Sequence, residues 1–128
     1  MGKKLLSIII PCYNEEKTVE TIYVAITDTM DMLPQYDYEI LFVNDGSKDN
    51  TLNKLIGLSE MDVHVKYYSF SRNFGKEAAI YAGLTNARGD YVVTMDADMQ
   101  DPPALLPEMN VWITSWVSSA EWDMWTIS

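Results

Sequence analysis

The chain has 128 residues, of which 9 are basic and 19 acidic, giving a formal net charge of −10 at pH 7. This length is typical of one domain, and the apolar content of 48% is too high for a disordered chain. The acidic balance argues against a nucleic-acid partner, because phosphate contacts need lysine and arginine, and the single cysteine excludes an internal disulfide or a cysteine-based zinc site.

The first predicted element is a buried strand. Residues 5–10 form an apolar, β-branched run, which is typical of a parallel strand covered on both faces. Lys3 and Lys4 precede this run as in a signal peptide, but the run is too short and no small-residue cleavage site follows it. Residues 111–117 are also far fewer than the ~20 of a membrane-spanning helix. We therefore expect a soluble chain, in the cytoplasm or at the cytoplasmic face of the membrane.

Helices and strands are predicted to alternate along the following eighty residues. Asn14 is suited to cap a helix that begins with Glu15 and Glu16, carries apolar residues at three- and four-residue spacing, and ends before Pro34. Further strands are predicted at residues 38–44, 63–70 and 91–95. Further helices are predicted from a cap at residue 49 or 50 to about residue 58, and from residue 75 to about residue 88. This alternation predicts a mostly parallel α/β sheet with right-handed crossovers.

Polar residues cluster where each predicted strand ends. The four clusters occupy residues 11–15, 44–47, 71–76 and 96–101. In parallel α/β sheets, ligands bind beyond the carboxyl ends of the strands, so these clusters are expected to share one site. Four clusters together predict a site more strongly than any one of them alone.

Three carboxylates, those of Asp96, Asp98 and Asp101, follow the fourth predicted strand. Carboxylates this close repel one another unless a cation or a proton lies between them. Hard ions such as Mg²⁺ or Mn²⁺ prefer oxygen ligands, and Mg²⁺ often combines one or two carboxylates with substrate phosphates. The alternative is a solvated acidic loop. The position after a buried strand, with three companion clusters, favours metal-assisted handling of a diphosphate.

The other clusters contain residues suited to a nucleotide, each with a plain structural alternative. Asp45 is suited to a ribose hydroxyl or a base, or else belongs to an ordinary Asp-Gly turn. Arg72 and Lys76 are cations suited to phosphate, or else to a solvated helix start. Tyr13 either stacks on a base or is a half-buried loop aromatic.

Together these stretches resemble the family 2 glycosyltransferases with a GT-A fold, and most of all the polyprenyl-phosphate sugar transferase group, which includes dolichol-phosphate mannose synthase-like enzymes. The matching stretches are residues 7–16 (SIIIPCYNEE), 43–51 (VNDGSKDNT), 71–80 (SRNFGKEAAI) with 82–84 (AGL), and 95–103 (MDADMQDPP). The resemblance implies a Rossmann-like, mostly parallel sheet with helices on both faces. It also implies transfer of a sugar from a nucleotide-diphosphate sugar to a lipid phosphate.

The resemblance further implies roles for individual residues. Those implied to bind the nucleotide sugar are Pro11, Tyr13, Glu15, Asp45, Arg72, Lys76 and Asp96. Asp98 and Gln100 would bind Mg²⁺ or Mn²⁺ on the donor diphosphate, and Asp96 and Asp98 are the implied catalytic residues. The metal would offset the charge that builds on the leaving diphosphate, which inverting members of the family displace directly from the anomeric carbon.

The last third of the chain differs from the rest. No basic residue follows Arg88, whereas seven acidic residues do, and all four tryptophans lie within residues 112–125. The resemblance ends near Met109, where family members continue into an acceptor half with basic residues. We therefore expect residues 1–109 to be the donor-binding half of a GT-A domain and residues 110–128 an atypical tail, through truncation of the gene or as a natural short form. Exposed tryptophans in that tail would suit self-association into a homo-oligomer.

Three other functions compete with a transferase. The first is a module that binds nucleotide sugar and metal without transferring the sugar. A phosphorylation-switched receiver domain would need a phosphoacceptor aspartate after the third strand, where residues 71–73 read Ser-Arg-Asn. A dinucleotide-dependent dehydrogenase would need Gly-x-Gly-x-x-Gly after the first strand, and no such stretch is present there.

Overall fold

The computed structural model describes residues 3–97 and the backbone of residues 125–127. The predicted alternation of strands and helices is confirmed. In chain order the elements are β1 (Lys4–Cys12), α1 (Val19–Asp31), β2 (Tyr36–Asn44), α2 (Thr51–Met61), β3 (Val65–Ser69), α3 (Lys76–Asn86), β4 (Tyr91–Met95) and β5 (Trp125–Ile127).

The five strands form one parallel sheet in the order β3-β2-β1-β4-β5. β1 pairs with β2 along its whole length, from Lys4 opposite Tyr36 to Cys12 opposite Asn44. β4 pairs with the other edge of β1, beginning with Leu6 opposite Tyr91. The strand order therefore changes direction at β1, and the crevice beyond the carboxyl ends of β1 and β4 is where ligands bind in open α/β sheets.

The core lies on both faces of the sheet, as the apolar run in β1 predicts. Ile8, Ile9 and Ile10 are all fully buried, although successive side chains of a strand point to opposite faces. Ile8 and Ile10 belong to the cluster that contains the buried side chains of α1 and α2, and Ile9 belongs to a smaller cluster with Leu41 under α3. Helices thus cover both faces, and the α/β class is confirmed.

The backbone of α3 packs directly on β1. A Cβ atom added at Gly83 would lie 2.5 Å from Cγ2 of Ile9, closer than any real contact between carbon atoms. Only glycine therefore allows the helix to lie at this distance from the sheet. This contact fixes the depth of α3, whose first turn borders the cavity described below.

One predicted helix start and one predicted helix end are wrong. α1 begins at Val19 rather than at Glu15, because residues 16–18 form a turn in which the N–H of Thr18 donates to the carbonyl oxygen of Glu15 at 3.0 Å. α3 ends at Asn86 rather than near residue 88, because the N–H of Arg88 donates to Glu39 Oε2 in the sheet.

Strand boundaries also differ from the prediction. β3 begins at Val65 rather than at residue 63, since His64 is held in a turn by a hydrogen bond from its N–H to Asp62 Oδ1. β5, which pairs in parallel with β4, was not predicted at all. The rest of the predicted tryptophan-rich tail lies outside the described residues. Among the helices of residues 3–97, none is long and apolar enough to cross a membrane.

Candidate functional site

A cavity of about 290 Å³ lies at the carboxyl ends of β1, β2 and β4. Six of the residues predicted to bind a nucleotide sugar line it, and these are Pro11, Tyr13, Glu15, Asp45, Lys76 and Asp96. Cys12 and Ala97 complete the lining. Residues from four separate stretches of sequence therefore converge on one cavity, as the shared carboxyl edge of parallel strands predicts.

Arg72 lies apart from this cavity. It borders a second cavity of about 440 Å³, between the ends of β2 and β3, and its guanidinium carbon lies 4.8 Å from the centre of the Phe74 ring. Tyr13 lines both cavities, and its side chain is 43% exposed. The predicted set of residues is thus divided between two neighbouring cavities that share one aromatic ring.

Asp45 is almost fully buried and binds the loop that leads into α3. Its Oδ1 accepts a hydrogen bond from the N–H of Phe74 at 2.7 Å, and its Oδ2 accepts from the N–H of Gly75 at 3.1 Å and from Nδ2 of Asn73 at 3.1 Å. These donors compensate the buried negative charge. Asp45 therefore holds the residue before Lys76 in place, a role that the sequence interpretation missed.

Gly46 allows the same loop to lie close to the end of β2. Its φ is +71°, in the left-handed region, and a Cβ there would lie 2.2 Å from the carbonyl carbon of Arg72. The structure thus requires the carboxylate of Asp45 and the missing side chain of Gly46. The alternative interpretation, an ordinary Asp-Gly turn, does not account for these contacts between loops.

Lys76 and Asp96 form an ion pair at the edge of the first cavity. Lys76 Nζ lies 2.5 Å from Asp96 Oδ1, and the Asp96 side chain is 18% exposed against 48% for Lys76. Lys76 is the first residue of α3, where the helix dipole adds positive potential. The cavity wall therefore carries one compensated pair of opposite charges beside the carboxylates of Glu15 and Asp45.

The predicted metal ligands Asp98 and Gln100 lie outside the described residues. Within residues 3–97, no group of three histidine, cysteine, aspartate or glutamate side chains comes together in a way that could hold a metal ion. Metal binding by Asp98 and Gln100 remains a prediction.

Cys12 lines the cavity but is unsuited to act as a nucleophile. Its side chain is buried, and burial, followed by the negative charge of Glu15, raises the pKa of the thiol above its ordinary value. The thiol therefore stays protonated at neutral pH, and the thiolate is the reactive form.

A second buried polar cluster lies in the sheet, away from the cavity. Glu39 accepts hydrogen bonds from Ser7 Oγ at 2.6 Å, Lys66 Nζ at 2.9 Å and the N–H of Arg88 at 2.8 Å. Burial by itself raises the pKa of Glu39, but these hydrogen bonds and the charge of Lys66 outweigh burial and lower that pKa. The sequence feature that could have indicated this cluster is a glutamate within an otherwise apolar strand.

Comparisons with known proteins agree with the geometry of the strand ends. The family model for glycosyl transferase family 2 matches residues 7–114. The chain is 50% identical over 108 residues to CsbB of Bacillus subtilis (strain 168), which is provisionally named a glycosyltransferase; the match covers 84% of this chain and 32% of CsbB. It is 40% identical over 116 residues to the bactoprenol glucosyl transferase of Shigella phage SfV, covering 91% of this chain and 36% of that protein. The chain thus spans about a third of the length of these relatives.

Solved glycosyltransferases share the fold. The mannosyltransferase PcManGT from Pyrobaculum calidifontis, in complex with GDP-Man and Mn²⁺, matches with a TM-score of 0.66 and 24% identity over 76% of this chain and 28% of its own. The glucosyl-3-phosphoglycerate synthase of Mycobacterium tuberculosis matches with a TM-score of 0.67 and 26% identity over 87% of this chain and 40% of its own. These matches confirm the GT-A fold that the sequence resemblance implied. The chain therefore belongs to glycosyl transferase family 2.

Proposed function

We propose that the chain is the donor-binding part of a glycosyltransferase that moves a sugar from a nucleotide-diphosphate sugar to a polyprenyl phosphate, with help from Mg²⁺ or Mn²⁺. The observation that carries the proposal is the cavity that combines Tyr13, three carboxylates and Lys76 at the carboxyl edge of a parallel sheet. The similarity to a bactoprenol glucosyl transferase supports a lipid phosphate as the acceptor. An acceptor of that kind lies in a membrane, so the reaction would take place at a membrane face.

The nucleotide would bind across the region that the two cavities share. The half-exposed ring of Tyr13 offers a flat apolar surface for a base, and Arg72 offers a second stacking surface and a positive charge on the far side. Pro11 and Glu15 would line the ribose and diphosphate part of the donor. Asp45 would contribute by holding the loop before Lys76 as well as by bordering the bound nucleotide.

The ion pair of Lys76 and Asp96 suits a ligand that carries both phosphate and hydroxyl groups. Without ligand, each side chain compensates the charge of the other. A nucleotide sugar would replace both partners, because its phosphates can pair with the ammonium group while its ribose or sugar hydroxyls donate hydrogen bonds to the carboxylate. A ligand with phosphate alone would leave Asp96 without its partner and so would bind less well.

The residues after β4 have the right donor chemistry for a hard divalent cation. β4 leads directly to Asp96 at the cavity, and the carboxylate of Asp98 and the amide oxygen of Gln100 follow within four residues. We propose that Asp98 and Gln100 hold Mg²⁺ or Mn²⁺, since both ions prefer oxygen ligands. The metal would supply positive charge to the diphosphate as the bond to the anomeric carbon breaks.

The proposal is tested by binding and transfer measured side by side on the full chain. We expect calorimetric titration to show that UDP or GDP binds and that this binding depends on Mn²⁺. Transfer is measured with a labelled sugar donor and polyprenyl phosphate as the acceptor. Asp98→Ala should abolish the metal-dependent part of the affinity, whereas Asp28→Ala, at an exposed position on α1, should leave it unchanged.

The possible outcomes separate the alternatives. Binding without transfer would favour a nucleotide-sugar-binding module. No binding of either nucleotide would refute the proposed function, and an unchanged affinity in Asp98→Ala would refute the metal assignment.

A further inference from the structure

Three backbone amides of the loop after β1 donate hydrogen bonds to side chains of the segment that follows β2, and the proposed donor contacts make no use of these bonds. In each, a backbone N–H of the first loop donates to a side chain of the second segment. The bonds run from Asn14 to Ser47 Oγ (2.9 Å), from Glu15 to Thr51 Oγ1 (2.9 Å) and from Glu16 to Asp49 Oδ2 (3.2 Å). We call these three bonds the clasp. They satisfy three consecutive amides that belong to no helix or strand.

Asp49 and Thr51 form the centre of the clasp. Thr51 is fully buried, and its hydroxyl accepts from the N–H of Glu15 while donating to Asp49 Oδ1 at 2.5 Å. The N–H of Thr51 donates to the same oxygen at 2.9 Å. Burial raises the pKa of Asp49, but the hydrogen bonds from Thr51 and Glu16 outweigh burial and lower it. Asp49 is therefore ionised at neutral pH, and a charged acceptor strengthens the connected bonds.

The clasp also stabilises an unusual backbone conformation. Asn14 has a φ of +55°, in the left-handed region that non-glycine residues seldom adopt. Two hydrogen bonds hold it there, one from its own N–H to Ser47 and one from the N–H of Lys48 to its side-chain oxygen at 2.8 Å. Its neighbours in sequence are Tyr13 and Glu15, and both line the first cavity. The conformation at Asn14 therefore sets the directions in which those two side chains leave the loop.

The backbone of Glu15 is held on both sides. Its N–H donates to Thr51, and its carbonyl oxygen accepts from the N–H groups of Thr18 and Val19, which begin α1. Loss of the Thr51 bond would remove the middle one of the three clasp bonds. The conformation of residues 13–15, where the cavity lining begins, would then be less firmly fixed by the outer bonds of Asn14 and Glu16.

We propose that Asp49 and Thr51 are positioning residues for the nucleotide-sugar site, acting through Tyr13 and Glu15. Neither is among the residues that line the first or the second cavity, so neither touches a ligand bound there. Their effect is on the fraction of molecules in which the loop has its binding conformation. This inference rests on the proposed function, because it concerns the affinity of the same site.

The test compares variants that break the clasp with variants that keep it. Thr51→Val removes the hydroxyl and keeps the shape, Thr51→Ser keeps the hydroxyl, and Asp49→Ala removes the charged acceptor from a partly exposed position. Glu20→Gln is the matched control, since the ion pair of Glu20 with Lys54 (3.0 Å) also joins α1 to α2 but borders neither cavity. Each full chain is titrated with UDP and GDP in the presence of Mn²⁺, at a temperature where thermal unfolding shows it to be folded.

We expect Thr51→Val and Asp49→Ala to raise the Kd about tenfold at unchanged stoichiometry, as for a loop that is competent about a tenth of the time. Thr51→Ser and Glu20→Gln should stay within about twofold of the wild type, and hydrogen exchange at the amides of residues 14–16 should speed up only in the first two variants. A purely structural role would lower the melting temperature and leave the Kd of the folded molecules unchanged.

Each outcome decides the proposal. Wild-type affinity in both clasp variants would overturn it, as would an equal loss in Glu20→Gln. If Thr51→Val does not fold, Asp49→Ala decides alone. If the wild-type chain binds neither nucleotide, the proposed function fails and this role fails with it, whereas binding by the wild type with no effect of the variants refutes the positioning role only.

Discussion

The hydrogen bonds of Asp45 lead to a prediction about both stability and binding. Replacing Asp45 with alanine removes the buried carboxylate that accepts partly buried hydrogen bonds from the N–H groups of Phe74 and Gly75 and from the amide of Asn73. A hydrogen bond to a charged group contributes about 1.5–3 kcal/mol. With two backbone donors affected, we expect Asp45→Ala to lower the free energy of unfolding by about 3–5 kcal/mol.

The milder variant Asp45→Asn separates charge from shape. An asparagine can still accept from the N–H of Phe74, but its NH₂ group would face the N–H of Gly75 and the amide of Asn73, which are donors as well. We expect a loss of about 2 kcal/mol, which a domain with a typical stability of about 5–15 kcal/mol survives. Nucleotide affinity should fall too, because Gly75 directly precedes Lys76.

Urea unfolding followed by circular dichroism measures these losses, with an unchanged m-value as the sign that the unfolded state is the same. Asp37→Asn is the matched control, since it makes the same replacement at an exposed position of β2. A loss of less than about 0.5 kcal/mol in Asp45→Asn, the usual range for surface substitutions, would refute the argument that this carboxylate holds the loop.

Three further predictions concern the sheet and its helices. The pKa of Glu39 is lower in the folded chain than its ordinary value of 4.5. Ionised Glu39 therefore stabilises the folded state above about pH 4.5, and this contribution is lost as the pH falls through the folded-state pKa. Glu39→Gln should therefore be less stable than the wild type at pH 7. In urea titrations at several pH values, the difference in the free energy of unfolding between the two chains should become smaller below about pH 4.5. Gly83→Ala should destabilise the chain by about 1–3 kcal/mol through contact with Ile9. Gly57→Ala, on the open side of α2, should stabilise it by up to about 1 kcal/mol, and equal thermal shifts in the two glycine variants would contradict the packing of α3.

Local patterns were sufficient to predict most of the fold. The apolar run in β1 indicated a strand buried on both faces, and Ile8, Ile9 and Ile10 are buried as predicted. The polar residues at the ends of the predicted strands indicated a ligand-binding site, and six of the residues predicted to bind a nucleotide sugar line one cavity. Such features are visible in a sequence because burial and strand ends depend on residues that are neighbours in the chain.

Contacts between distant residues decided the rest. The predicted helix start at Glu15 was wrong, and the N–H groups of Asn14 and Glu15 instead donate to side chains 33 and 36 residues away. The buried environment of Glu39 depends on Ser7, Lys66 and Arg88, which no local pattern connects. The sequence indicates Asp45 as a donor-binding residue, whereas its hydrogen bonds to the loop before α3 depend on the pairing of β2 with β3.

The sequence by itself therefore determined that this chain alternates strands and helices, and that its polar residues gather at the strand ends. Only the tertiary structure decided that Lys76 pairs with Asp96, that Arg72 borders a different cavity from Lys76, and that the loop after β1 is held by the start of α2. The physical reason is the order of strands in the sheet. Parallel pairing brings together strand ends that are tens of residues apart, and the choice of neighbours depends on the whole core.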